Sequence, residues 1–280
     1  GTAINDFYTD HFFMSSFPSG KLFAFKAEQD GAAFKMTGEH QVASGFLMVG
    51  LGFGPGGALY IADWSAKGYE LNEKGGVWKL DDPSQSTSEY REHINHLIAA
   101  DWSKPSVKEV TGHLSSPDQR VRMKAQFELV RRGATGHLMA TSGNPKLPQL
   151  ARLHAIWGLG QHLRQTGILW GDPYLMLYSD PDPEIRAQAA RTAGESGDLG
   201  FIYVGPLISL LADPEERPRF FSAIAASNSS AVHSLAAMAS SRMSVACCGV
   251  SPLFWAHCVG LDFGRCLASH FRERGEGGAL

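Results

Sequence analysis

The feature that most constrains this 280-residue chain is a self-similar segment in its middle. In the shared pattern an apolar residue is followed by an arginine, an alanine comes three residues after the arginine, and another apolar residue comes four residues after the alanine. The pattern occurs in Val121–Leu129, Ala151–Leu159 and Ile185–Ala193. The arginines Arg122, Arg152 and Arg186 are 30 and 34 residues apart. A repeat of this length indicates one helix pair per copy, and such pairs bury their apolar faces by stacking.

The alanines of the repeat are predicted to face the interior. Ala125, Ala155 and Ala189 share one helix face with the apolar residues four positions away, and a small side chain lets a neighbouring helix approach closely. Prolines preceded by a capping residue mark the helix starts near 116, 180 and 213. Residues 105–226 are therefore predicted to form an α-solenoid of HEAT-like repeats.

The first 82 residues carry β patterns instead. Lys21–Lys26 and Ala33–Met36 alternate around an Asp-Gly turn, Phe46–Phe53 and Ala58–Ala62 flank a glycine-rich turn, and Gly76–Leu80 supplies a last strand. Since four strands of this size make one propeller blade, these five segments are interpreted as containing a four-stranded sheet, the closing blade of a β-propeller. A lone sheet of this kind has two unpaired edges, so upstream blades are expected as its partners.

The predicted fold class is thus α+β and multidomain: a four-stranded β-propeller blade over 1–82, then an α-solenoid of HEAT-like repeats. Residues 83–104 are predicted to be a connector with a short helix. Residues 227–280 are interpreted as an atypical tail in which neither period persists, either a disordered end or a mistranslated or fused segment. Since the chain begins with Gly1 and no leader follows, residue 1 is interpreted as a truncation point.

Two glycine-rich runs carry a family resemblance. Gly52–Trp64 and Gly75–Leu80 resemble the final propeller blade of the bacterial membrane-bound dehydrogenase-like family, whose propeller is similar to the glucose/sorbosone dehydrogenases. Ala125–Gly133 and Ala151–Leu159 resemble the HEAT repeats that follow that propeller. The resemblance implies a periplasmic or secreted C-terminal fragment of a longer, dehydrogenase-like parent, in which quinone and haem c would be the cofactors.

No cofactor is expected in this chain itself. It has no Cys-x-x-Cys-His motif for covalent haem, and its four cysteines lack paired zinc-site spacing: Cys247, Cys248, Cys258 and Cys266. A net charge of −3 with mixed signs does not favour nucleic acid. The apolar stretch 245–268 is interrupted by a proline and charged residues, so a membrane span is not expected.

Four further candidate sites have an ordinary structural alternative. Asp63 and Trp64, at a strand end, are candidate cofactor contacts or turn-capping residues. Glu89, His93 and His96 share a helix face and could approach a metal, although solvated side chains explain them as well. His154 is expected to pack between helices. The glycines of 52–57 fit a dinucleotide fingerprint, but the strand that follows favours a simple turn.

The repeated arginines, Arg122, Arg152 and Arg186, could form a row of positive charges that binds an anionic partner. Their repetition instead favours structural pairing with the Asp-rich turns.

Two function hypotheses follow from these patterns. The preferred one is a non-catalytic scaffold segment that offers an extended surface to another protein or domain. The alternative is a contribution to a quinone-dependent sugar or alcohol oxidoreductase coupled to haem c in the full-length parent. The resemblance alone carries this alternative, and the chain itself is not expected to be an enzyme.

Overall fold

The computed structural model describes residues 4, 6–65, 73–85, 88–167, 174–195 and 201–228. The predicted tail therefore lies outside the described residues from 229 onward.

The described residues of the N-terminal part form six strands: β1 Phe12–Ser16, β2 Lys21–Asp30, β3 Ala33–Ser44, β4 Met48–Phe53, β5 Leu59–Asp63 and β6 Gly76–Leu80. They form two three-stranded antiparallel sheets, in the orders β1-β2-β3 and β4-β5-β6. Four apolar side chains, Leu22, Met48, Leu59 and Ile61, form the buried core between them. Short 3₁₀ turns at Asp6–Tyr8 and Pro83–Gln85 flank the strands.

The predicted fold class, a four-stranded blade followed by a solenoid, is wrong. The described residues form two small three-stranded sheets followed by helices, with neither a four-stranded blade nor a closed propeller. One cause of the difference is β1, a strand that the search for alternating apolar and polar residues did not predict. It pairs along its whole length with β2. Another is Gly45, whose φ of 98° lets the chain turn away between β3 and β4, so that the two hairpins lie in separate sheets.

The described helices are α1 Glu89–Ala99, α2 Val107–Gly112, α3 Gln119–Arg131, α4 Thr135–Ser142, α5 Gln149–Thr166, α6 Pro183–Glu195, α7 Phe201–Leu210 and α8 Glu216–Ser227. Two 3₁₀ turns, His113–Ser115 and Leu175–Ser179, lie between them. Helix α3 packs on α5, α5 on α6, and α6 on α8. One continuous apolar core runs through these contacts from Ile94 in α1 to Ala225 in α8.

Two arginines connect the helices to the sheets. Arg120 at the start of α3 donates from Nη1 to the carbonyl oxygens of Gly54 and Pro55, at 2.5 and 3.1 Å, in the turn between β4 and β5. Arg217 in α8 donates to the Ala32 carbonyl at 2.8 Å, in the turn between β2 and β3. Its guanidinium also lies 4.7 Å from the ring centre of Phe34. Each sheet is thus attached to the helices through a turn.

Candidate interaction surface

Arg122 and Arg186 of the repeat, together with Arg219 in α8, contact the turns before their own helices. Arg122 donates to the carbonyl oxygens of Ser116 and Pro117, both at 2.8 Å. Arg186 contacts the carbonyls six and five residues upstream in the same way, and so does Arg219. Each guanidinium therefore stabilises the turn that precedes its own helix, because those carbonyls have no partner inside a helix.

Two of the arginines also connect neighbouring copies of the repeat. Arg186 binds the Asp213 carboxylate through Nε and Nη2, at 2.7 and 2.8 Å. Arg152 forms an ion pair with Asp180. Arg122 differs, since its Nε is buried without a hydrogen-bond partner among the described residues, and burial lowers the pKa of its guanidinium. This geometry supports structural pairing of the repeated arginines.

The remaining repeat positions lie in the core. Ala125, Ala155 and Ala189 have no exposed surface. His154 is 3% exposed, and its Nδ1 lies 2.8 Å from the side-chain oxygen of Gln126. Burial and, to a lesser degree, the nearby charge of Arg122 lower the pKa of His154 to about 4. A neutral imidazole in this position connects α3 to α5.

Asp63, a candidate cofactor contact, is fully engaged by the protein. Its carboxylate accepts hydrogen bonds from the backbone N–H groups of Leu47 and Ser65, from the Ser65 hydroxyl and from the indole of Trp78, all at 2.9–3.0 Å. Burial opposes ionisation of Asp63, but these hydrogen bonds outweigh it and lower its pKa. The carboxylate thereby holds the ends of β4, β5 and β6 together. Trp64 follows the end of β5, and its backbone N–H donates to the Leu47 carbonyl at 2.9 Å.

The other predicted sites do not converge. Glu89, His93 and His96 lie on α1, and among the described residues no three His, Cys, Asp or Glu side chains approach one another as metal ligands do. The glycines of 52–57 form the turn between β4 and β5, and strand β5 follows them. The four cysteines lie outside the described residues. In the part of the chain that the structure covers, no helix has both the length and the apolarity to cross a bilayer.

An open groove lies on the side of α3 that faces away from the core. Val121, Ala125 and Leu129 form the buried stripe of this helix, but Met123 and Phe127 form a second apolar stripe one turn apart and are 38% and 49% exposed. A surface helix ordinarily carries polar side chains on that side. The groove has a volume of about 470 Å³ and is lined by Ile98, Trp102, Arg120, Met123, Lys124, Phe127, Glu128 and Arg131.

The side of the groove formed by Trp102 and Lys124 is held rigidly. Trp102 is 5% exposed, and its indole donates to the Leu97 carbonyl at 2.8 Å. The Lys124 ammonium donates to the carbonyls of Ile98 and Ala100, both at 2.7 Å, and lies 5.4 Å from the centre of the Trp102 ring. An aromatic ring fixed in this way is suited to bind an apolar side chain, because little conformational freedom is lost on contact.

The rim of the groove carries excess positive charge. Lys124 bonds to carbonyl oxygens rather than to a carboxylate. Arg131 and Arg132 share one carboxylate, Glu128, at 2.7 and 2.6 Å. Hydrogen bonds from Arg131 and then Arg132 outweigh burial and lower the pKa of Glu128 to about 2. The rim therefore favours a partner with acidic side chains.

Sequence reasoning missed the groove residues. Met123 and Phe127 are visible in the sequence as an i, i+4 apolar pair off the repeat stripe, which is a usable signal. Trp102 gives no such signal, because it lies outside the repeat and reaches α3 only through the fold.

No family model matches this chain, and no curated protein matches it significantly. The resemblance to dehydrogenase-like proteins, and the cofactors, localisation and partners that it implies, therefore stay predictions.

Proposed function

We propose that this chain is a non-catalytic protein-interaction segment that binds its partner through the groove on α3. The observation that carries the proposal is the second apolar stripe of α3, Met123 and Phe127, beside the fixed ring of Trp102. Exposed apolar surface rimmed by polar residues is typical of interaction sites. The resemblance also implies a dehydrogenase-like parent with a quinone and haem c, and that alternative has no support from a described side chain.

The partner is an amphipathic helix with acidic residues beside its apolar stripe. Two apolar side chains spaced by one turn fit Met123 and Phe127, as in other helix-in-groove complexes. The cationic rim at Lys124 and Arg131 faces the flanks of such a helix and favours carboxylates there. Contacts at the rim chiefly change the association rate, whereas the buried aromatic anchor sets the lifetime of the complex.

Selection from a displayed library of helical peptides tests this proposal with the whole chain as bait. We expect enriched peptides to carry acidic residues beside paired apolar residues. Fluorescence anisotropy should show that Phe127→Asp weakens their binding by at least about tenfold, as expected for an anchor residue worth more than 1.4 kcal/mol. Met139→Asp is the matched control, because Met139 is 40% exposed on α4 and does not line the groove.

Three results would overturn the proposal. One is a selection without enrichment. Another is that peptides bind Phe127→Asp and the unsubstituted chain equally well. The third is binding that Met139→Asp abolishes as strongly, which would place the peptide elsewhere.

A further inference from the structure

A cluster of four rings lies where the N-terminal turn packs on β3. Phe7 and Tyr8 belong to the 3₁₀ turn, His11 directly precedes β1, and His40 belongs to β3. Ring centres are 5.2 Å apart for Phe7 and His11, and 5.7 Å apart for Tyr8 and His40. The two imidazoles are themselves neighbours, at 5.7 Å between centres. Two histidines separated by 29 positions are thus brought together by the fold.

The hydrogen bonds of both imidazoles fix the same tautomer. Nδ1 of His11 lies 3.2 Å from the Thr9 carbonyl oxygen, and Nδ1 of His40 lies 2.9 Å from the Gly38 carbonyl oxygen. A carbonyl oxygen can only accept, so each neutral ring carries its proton on Nδ1 and presents a lone pair at Nε2. A backbone carbonyl holding one ring nitrogen is the usual support for a metal-binding histidine.

The second observation is the state of Nε2 in His40. This nitrogen is buried and has no hydrogen-bond partner among the described residues. A buried polar atom without a partner costs free energy, and binding a water or an ion is the usual way in which a folded protein avoids that cost. Its lone pair is available to a Lewis acid.

We propose that His11 and His40 form a two-imidazole binding site for a divalent transition-metal ion of the zinc type. Two imidazoles that share an ion at about 2.0–2.1 Å from each nitrogen have ring centres roughly 5 to 6.5 Å apart, depending on the angle at the metal. The observed 5.7 Å lies in this range. Imidazole suits zinc, copper and nickel better than calcium or magnesium.

The two imidazoles fill only two coordination positions of such an ion. Among the described residues no third His, Cys, Asp or Glu joins the pair, so water or a group from a bound molecule completes the coordination. A site with two protein ligands binds its metal more weakly than a closed four-ligand site. Occupancy also ties the N-terminal turn to β3, because one ligand comes from each segment.

Isothermal titration of the whole chain with zinc chloride tests the site, after alkylation of the four cysteines to exclude thiolate binding. We expect a site with one zinc per chain that His11→Gln and His40→Gln each weaken by at least about tenfold, the minimum loss known for residues that support a ligand. The double variant His93→Gln/His96→Gln is the control, because these histidines lie on α1. We expect zinc binding in it to be unchanged.

Electron paramagnetic resonance of the copper(II) complex of the unsubstituted chain provides a readout that does not depend on a variant folding. Hyperfine coupling to two imidazole nitrogens is the expected signature. Absence of zinc binding, binding that persists when both His11 and His40 are replaced, loss of binding in the α1 control, or copper coupled to fewer than two imidazoles would each overturn the proposal. If the four rings are only an ordinary aromatic cluster, the chain will not bind zinc at this place.

Discussion

Arg152 and Asp180 form an ion pair inside the helical core, with only 4% and 8% of their side chains exposed. Nε of Arg152 also donates to the Ser142 carbonyl at 2.9 Å, so one guanidinium connects three segments. A carboxylate of Asp180 accepts in addition from the N–H of Asp182 at 2.9 Å. The pair therefore links the end of α4, the interior of α5 and the turn before α6.

Arg152→Met is expected to lower the free energy of unfolding by about 3–5 kcal/mol, because Asp180 would keep its charge without its cation. Urea unfolding followed by circular dichroism measures this loss. Arg191→Met is the matched control, since Arg191 and Glu195 form an exposed pair with 47% of each side chain in solvent. That substitution should cost less than about 1 kcal/mol. Equal losses in the two variants would contradict the assignment of a core role to Arg152.

Gly194→Ala is expected to destabilise the contact between α6 and α8. A Cβ atom at position 194 would lie 2.6 Å from Cα and 2.7 Å from Cβ of Ala225, so one helix must move. Such overpacking typically costs about 1–3 kcal/mol. Thermal unfolding of the variant should show a lowered midpoint.

Gly136→Ala in α4 is the control for that substitution, because nothing lies within 4 Å of a Cβ atom there. The alanine should raise stability by about 0.5–1 kcal/mol through its better helix propensity. If both variants shift the unfolding midpoint in the same direction, the result would contradict the close contact between Gly194 of α6 and Ala225 of α8.

His154 is expected to make stability depend on pH between its unfolded pKa, about 6.5, and its folded pKa, about 4. Because the folded pKa is the lower one, the unfolded chain binds more protons in this window. The contribution of the neutral His154 to the free energy of unfolding is therefore fully present above pH 6.5. It is lost as pH falls towards 4, by on the order of 2–3 kcal/mol.

His154→Gln removes this titration and keeps a side chain that can bond to Gln126. Urea unfolding at several pH values should show a flatter dependence between pH 4 and 6.5 than in the unsubstituted chain. His137→Gln, at an exposed position on α4, should leave the dependence as it was. An unchanged slope in His154→Gln would mean that His154 titrates freely in the folded state.

What the sequence determined by itself is local. The period of the helical repeat identified Ala125, Ala155 and Ala189, and the structure places all three in the core. Turn residues such as Asp30-Gly31 marked the hairpin of β2 and β3. Signals of this kind depend on neighbours within a few residues, so a single sequence carries them.

The tertiary structure decided which distant elements meet. Strand pairing split the β region into two sheets, because β1 joined β2 and the chain turned away at Gly45. The groove needs Trp102 beside α3, and the paired imidazoles need His11 beside His40. No short-range pattern specifies these contacts, because they arise only when helices and sheets pack around shared cores and the chain brings remote side chains together.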